Sequence, residues 1–245
     1  MVHRWSAYKS VLETLALVLI AAGVVYSALH ERPGTSPSAR AAGSRPPRPA
    51  VPLPIDPVSL AGAQTSGDSR AKVALVIYSD FQCPFCAKFG RDVLPTIQKQ
   101  YVDTGRILLA FRQLPLEIHP FAQKAAEGSL CAARQGKFWP FHDDLFANPN
   151  ALDLSSLHDR ALRLSLDTKA FATCLSGETA ADVEADKKAA QVFGITGTPT
   201  FLAGSIVAGG AVKVSERFSG ALPIQQFQTV LDGLLRKAGV RTSIP

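Results

Sequence analysis

A chain of 245 residues, 47% of them hydrophobic, is long enough for one cored domain with appendages. Its net charge of +6 divides evenly, +3 in the first 57 residues and +3 in the remainder. With so small an excess on the larger part, and no basic run interleaved with aromatic residues, the composition argues against nucleic-acid binding.

Val11 to Leu29 is a nearly unbroken apolar run whose sole charge, Glu13, stands near its start. At about 1.5 Å per residue it can cross most of a ~30 Å hydrocarbon core, so residues 1–30 read as an N-terminal membrane anchor. A cleaved signal peptide is the alternative. Ala39-Arg40-Ala41 has the small-x-small form of a cleavage site but lies well past the run. Residues 31–57 then read as a linker. Pro33, Pro37, Pro46, Pro47, Pro49, Pro52, Pro54 and Pro57 keep it extended, and it has too little apolar surface to fold.

Pro57 to Ala61 reads as a short strand, and Gly62 to Arg70, rich in Ser, Gly and Asp, as a loop. Val73-Ala74-Leu75-Val76-Ile77-Tyr78 is a β-type apolar run. Beyond it Phe89, Val93, Ile97 and Tyr101 recur every four residues, which predicts a helix, kinked at Pro95. Between strand and helix lies Ser79-Asp80-Phe81-Gln82-Cys83-Pro84-Phe85-Cys86. Pro84 suits the first helical turn, where its missing N–H costs nothing. The Cys83 sulfur is then expected at the positive end of the helix, where unpaired N–H groups and the macrodipole favour a thiolate. Cys83 should be the exposed nucleophile and Cys86, one turn deeper, its buried partner. Half of a zinc site has the same spacing, but no second close Cys/His pair accompanies it, so no metal site is expected. Asp80, the nearest acid, has two open readings: a proton shuttle, or a side-chain acceptor in the turn before the helix, which we favour.

Ile107-Leu108-Leu109-Ala110-Phe111 reads as a buried strand, parallel to the first through a right-handed crossover. From His119 to Phe193 the pattern is helical. We take about 119–193 as an inserted helical subdomain cored by Phe138, Trp139, Phe141 and Phe146, with His119 and His142 as packing or surface residues. The chain returns to the sheet at Pro199-Thr200-Phe201-Leu202. A hairpin comes next, with Val212 to Ser219 as its second arm, and then a helix from Pro223 to Lys237 whose end suits Gly239. Cys131 and Cys174 fall in different helices of the insert. From the residues alone they are a structural disulfide, two buried thiols or a redox relay.

Three stretches, Tyr78 to Cys86, Gln135-Gly136-Lys137-Phe138-Trp139-Pro140-Phe141-His142, and Gly197-Thr198-Pro199-Thr200-Phe201, stand in the order found in one family. From about Val58 to the end the chain resembles the DsbA-like thiol:disulfide oxidoreductases. The resemblance implies an α/β thioredoxin fold over residues 58–245 carrying the helical insert. It implies disulfide exchange through Cys83 and Cys86, with Pro84 and Phe85 between them. It also implies that Thr198 and a cis Pro199 face the cysteines and dock an extended client, and that Cys131 and Cys174 form a structural bridge. The redox-active disulfide would be the sole cofactor. The expected partners are exported cysteine-containing proteins and a DsbB- or VKOR-type membrane oxidoreductase. The expected location is the bacterial inner membrane with the domain outside, or the periplasm if a signal is cleaved. The chain departs from the family at two places: Phe85 stands where Cys-Pro-His-Cys members have His, and Ile77 where many carry a buried acid. Both point to a less extreme redox potential than the Cys-Pro-His-Cys type. The alternatives are a reductase or isomerase, for example in cytochrome c maturation, and a redox-inactive binding module on the same scaffold.

Overall fold

The computed structural model describes Leu53 and residues 56–240; the apolar run Val11–Leu29 and most of the proline-rich linker lie outside them. Among the described residues no helix is long and apolar enough to cross a membrane.

The elements run β1 (Val58–Ser59), β2 (Gln64–Ser66), β3 (Val73–Ser79), α1 (Pro84–Asp92), α2 (Leu94–Ile97) with a π-helical turn at Gln98–Val102, and β4 (Ile107–Gln113). Helices α3 (Ala122–Ala133), α4 (Phe138–Ala147), α5 (Leu154–Arg163), α6 (Thr168–Leu175) and α7 (Ala180–Val192) come next, then β5 (Thr200–Val207), β6 (Ala211–Ser219) and α8 (Ile224–Lys237). The strands form one sheet in the order β1-β6-β5-β3-β4-β2. β3 and β4 are parallel, from Val73 opposite Ile107 to Ser79 opposite Gln113. β5 is antiparallel to β3.

β3 is buried along its whole length, so its sequence is apolar throughout rather than alternating. Its odd residues Val73, Leu75 and Ile77 pack with Phe89, Ile97, Phe201 and Phe227. Its even residues Ala74, Val76 and Tyr78 face Leu108, Ala110, Leu202 and Val212 on the other side. The insert has its own core, in which Phe138, Phe141 and Phe146 join Phe81, Phe111, Cys83 and Cys86, with Trp139 packed against it. A bulge at Ala203/Gly204 brings the β6 backbone so close that a Cβ on Gly204 would lie 2.0 Å from the Lys213 carbonyl oxygen, which restricts the position to glycine.

Two expectations need correction. The expected loop Gly62 to Arg70 contains β2, which pairs with β4 at the sheet edge from Gln64 opposite Phe111 to Ser66 opposite Leu109. Three residues without apolar alternation carry no strand signal; the partner strand imposes the conformation. The helix after the cysteines is broken at Val93 (φ −121°) rather than merely kinked at Pro95. Pro95 has no N–H to bond the carbonyl four residues back, so the ladder of α1 cannot continue through it. Thr96 and Ile97 N–H groups both turn to the Val93 carbonyl, starting a new short helix.

The insert is held to itself and to the sheet by different bonds. Cys131 in α3 and Cys174 in α6 are joined by a disulfide across 43 residues. Asp186 in α7 bridges to β4: its carboxylate accepts from Arg112 at 2.6 Å and from the Gln113 N–H at 2.8 Å. Arg112 also donates to the Ser59 and Ala61 carbonyls, which fastens the segment leading to β2. Removing one partner of such a buried pair strands the other's charge. Replacing Cys131 and Cys174 together with alanine is expected to cost about 4 kcal/mol of unfolding free energy from lost loop constraint. Urea denaturation of the variant against the oxidised wild type measures it.

Candidate active site

The site is built where β3 ends. The Asp80 carbonyl accepts the Cys83 N–H at 3.2 Å, and its carboxylate accepts the Gln82 N–H at 2.7 Å, which turns the chain sharply into α1. Cys83 is the N-cap residue in extended conformation (φ −74°, ψ 123°), with Pro84 opening the helix. Its carbonyl accepts from Ala87 N–H at 3.0 Å. From across the sheet comes the start of β5, where the Thr198–Pro199 peptide is cis. The Thr200 hydroxyl holds that segment, donating to the Gly197 carbonyl at 2.7 Å, and the Pro199 carbonyl accepts from Gly220 N–H at 2.8 Å. The Thr198 carbonyl oxygen then lies 3.5 Å from Cys83 Sγ. Cys83, Cys86, Thr198 and Pro199 are therefore brought together although 115 residues separate Cys83 from Thr198.

Cys83 and Cys86 are both free thiols in this structure, and both are buried. This corrects the expectation of an exposed Cys83. At 4% exposure it is covered because the 197–200 segment lies over it and Phe81 packs from the insert side. The exposed residues of the motif are Pro84 and Phe85, the latter at 60%.

The two sulfurs differ in acidity. A hydrogen bond from the Cys86 thiol, aided by the Thr198 side chain and the N–H groups of Cys86 and Phe85, pushes Cys83 down to about 5 against the opposing effect of burial. The Thr198 hydroxyl is buried and is engaged by no other hydrogen bond. Burial, the bond to Cys83 and the charge on Cys83 push Cys86 well above the usual thiol range, against donation from the Ser79 hydroxyl and the Asp80 N–H. Ile77 is buried in the apolar cluster with Phe89 and Phe201.

Asp80 occupies the turn-acceptor position. Its buried carboxylate also accepts from Leu116 N–H at 2.9 Å and pairs with His119 Nδ1 at 2.7 Å. His119 is therefore bonded to the turn that carries the cysteines, which its sequence surroundings do not show. A signal did exist: in a parallel β3–β4 pair, the residues just past Ser79 lie beside those just past Gln113. His142 is buried among Phe81, Phe111, Phe138, Trp139 and Phe146, and burial pushes its pKa down, so it packs as a neutral ring. Among the described residues no group of His, Cys, Asp or Glu is arranged to hold a metal ion.

A family model described as thioredoxin matches residues 61–222. The alpha-DsbA1 structure from Wolbachia pipientis is 28% identical, with a TM-score of 0.65 over 77% of this chain and 95% of that one. Oxidised BdbD from Bacillus subtilis, 24% identical, shares the fold with a TM-score of 0.62 over 74% of this chain and 99% of that one. A Na(+)/H(+) antiporter NhaA 3 from Salinispora tropica is 36% identical over 151 residues, which are 61% of this chain and 22% of the antiporter. The chain spans only about a fifth to a quarter of the length of such curated relatives.

Ultraviolet titration of the dithiol protein is expected to show one thiolate forming with a midpoint near pH 5, and Cys86 still protonated through neutrality. Thr198→Val removes one donor and should raise that midpoint by roughly half to one pH unit. Because the folded value is depressed, Cys83 stabilises the reduced fold fully above the ordinary thiol pKa of about 8.5. That contribution is lost as pH falls through about 5.

Proposed function

The chain belongs to the thioredoxin family, and from that premise we propose that it is an extracytoplasmic protein thiol:disulfide oxidoreductase that introduces disulfides into exported proteins. The acidity split between Cys83, at about 5, and Cys86, well above the ordinary range, carries this reading. In the oxidised protein a client thiolate attacks Cys83 Sγ. The Cys83–Cys86 bond breaks, Cys86 leaves with the electron pair and takes up a proton, and a mixed disulfide joins client to Cys83. A second client thiolate then attacks the client's own sulfur in that bond. The client leaves with its disulfide, and Cys83 leaves as a thiolate that the site already stabilises.

That stabilisation sets the direction. Whatever favours the Cys83 thiolate favours the dithiol state and makes the disulfide a better oxidant. The Phe85 side chain supplies no donor to this thiolate beyond the residue's backbone N–H, and Ile77 supplies no carboxylate to take the Cys86 proton. The redox equivalents travel on the sulfur pair itself, with no other cofactor. A DsbB- or VKOR-type membrane protein restores the disulfide, and residues 1–30 hold the enzyme to the outer face of the inner membrane.

The test is oxidation of a reduced, unfolded client by the disulfide form of the full chain. Wild type should form the client disulfide stoichiometrically and Cys83→Ser, which cannot hold the disulfide, should fall to background; reduced Cys86→Ser, given the oxidised client instead, should accumulate mixed disulfide, because Cys83 attacks the client disulfide, one client sulfur leaves as thiolate, and no Cys86 follows to release the other. Equal rates in wild type and Cys83→Ser would remove the proposal. Equilibration with glutathione should place the potential between those of thioredoxin and the Cys-Pro-His-Cys oxidant, roughly −270 to −120 mV, and Phe85→His should make it more oxidising.

A further inference from the structure

The Asp80 side chain is fully buried in the turn that carries the cysteines, and a carboxylate out of water is costly unless its oxygens are bonded. Oδ1 accepts the Gln82 N–H at 2.7 Å. Oδ2 accepts the Leu116 N–H at 2.9 Å and meets His119 Nδ1 at 2.7 Å. A carboxylate only accepts, so the ring nitrogen carries the hydrogen. His119 is the one side chain among these donors, and its backbone is fixed on both sides. Its N–H donates to the Leu116 carbonyl at 2.9 Å, and its carbonyl accepts from Ala122 N–H at 3.1 Å.

The ring is not needed to place the loop that bears it. Leu114 N–H donates to the Ser79 carbonyl at 2.8 Å, Leu116 N–H to Asp80, and Phe121 N–H to Gln82 Oε1 at 2.8 Å. Those bonds hold 114–121 to the turn without the imidazole, whose own bond serves the carboxylate. Residue 80 in turn touches both cysteines through its backbone. Its carbonyl accepts from Cys83 N–H at 3.2 Å, and its N–H donates to Cys86 Sγ. Without the ring, Oδ2 keeps a single donor. The carboxylate then swings towards another donor and takes its peptide with it, and its bare charge opposes a second negative charge on either sulfur.

We propose that His119 is a positioning residue for disulfide exchange: it holds and screens the buried Asp80 carboxylate, so that residue 80 keeps its backbone on both cysteines while negative charge passes between the sulfurs. This rests on the proposed exchange activity and adds a residue to it. The step concerned is the first exchange. The attacking thiolate bonds to Cys83 Sγ, the Cys83–Cys86 bond breaks, and Cys86 leaves with the electron pair. Its new charge then forms against the Asp80 N–H.

The test compares wild type, His119→Ala and His119→Asn as full chains, with glutathione as the thiol. Asn can place a side-chain N–H where Nδ1 stands. His119→Ala should slow attack on the disulfide form about fivefold, since only part of a charge-assisted bond reaches the sulfur. Its equilibrium with glutathione should move about as far towards the protein disulfide, roughly 20 mV more reducing. The Cys83 thiolate midpoint should rise by roughly half a pH unit. His119→Asn should restore most of all three. With Asp80→Asn already in place, His119→Ala should add nothing, because the charge it serves is gone. His119→Phe keeps the ring volume without a donor and repeats the comparison if the alanine variant does not fold. A ring that only supports the fold would weaken the dithiol and disulfide forms alike and leave the glutathione equilibrium unmoved. That result, or a full effect of His119→Ala beside Asp80→Asn, would overturn this inference and leave the exchange reading standing. A wild type that does not react with glutathione would overturn both.

Discussion

The hydrogen bond from the Cys86 thiol to Cys83 governs this site. Both sulfurs are buried, and burial alone would hold both as thiols. One proton shared between them breaks that symmetry. Cys83, which also receives the N–H groups at the start of α1, takes the charge; Cys86, deeper and without a carboxylate beneath it, keeps the proton. Each sulfur's acidity is thus a property of the pair. The rest of the fold holds the two at this separation and brings Thr198 over them.

Three chain segments that are remote in sequence must end at the same point for this to happen. The parallel pairing of β3 and β4 brings Asp80 beside Leu116 and His119, and the antiparallel β5 delivers Thr198 and Pro199 from the other side. Asp80 is the joint: its backbone shapes the cysteine turn while its carboxylate holds the loop after β4. A carboxylate occupied by three donors is suited to fixing backbone. Its position so near the cysteines reflects the tightness of the turn.

The insert completes the site rather than sitting apart from it. Phe81 and both cysteines lie in the same apolar cluster as Phe138, Phe141 and Phe146, so the reactive turn is wedged between sheet and insert. The disulfide ties α3 to α6, and the buried Arg112–Asp186 pair ties α7 to β4. Together they keep the wall behind the cysteines from shifting with respect to the sheet that carries Thr198.

The local chain alone determined much of this protein. The apolar run of β3, the Cys-Pro-Phe-Cys turn opening a helix, the long helical insert and the closing hairpin and helix arise from periodicity and from the backbone limits of proline and glycine, which act over a few residues. Tertiary structure decided what depends on distant partners. β2 is a strand only because β4 offers it an edge, and Cys83 is covered only because the 197–200 segment lies over it. His119 joins the turn only because two strands are parallel, and the two sulfurs differ in acidity only because one can donate to the other. Burial, pairing and proton affinity are set by what surrounds an atom in space, and spacing along the chain does not report that.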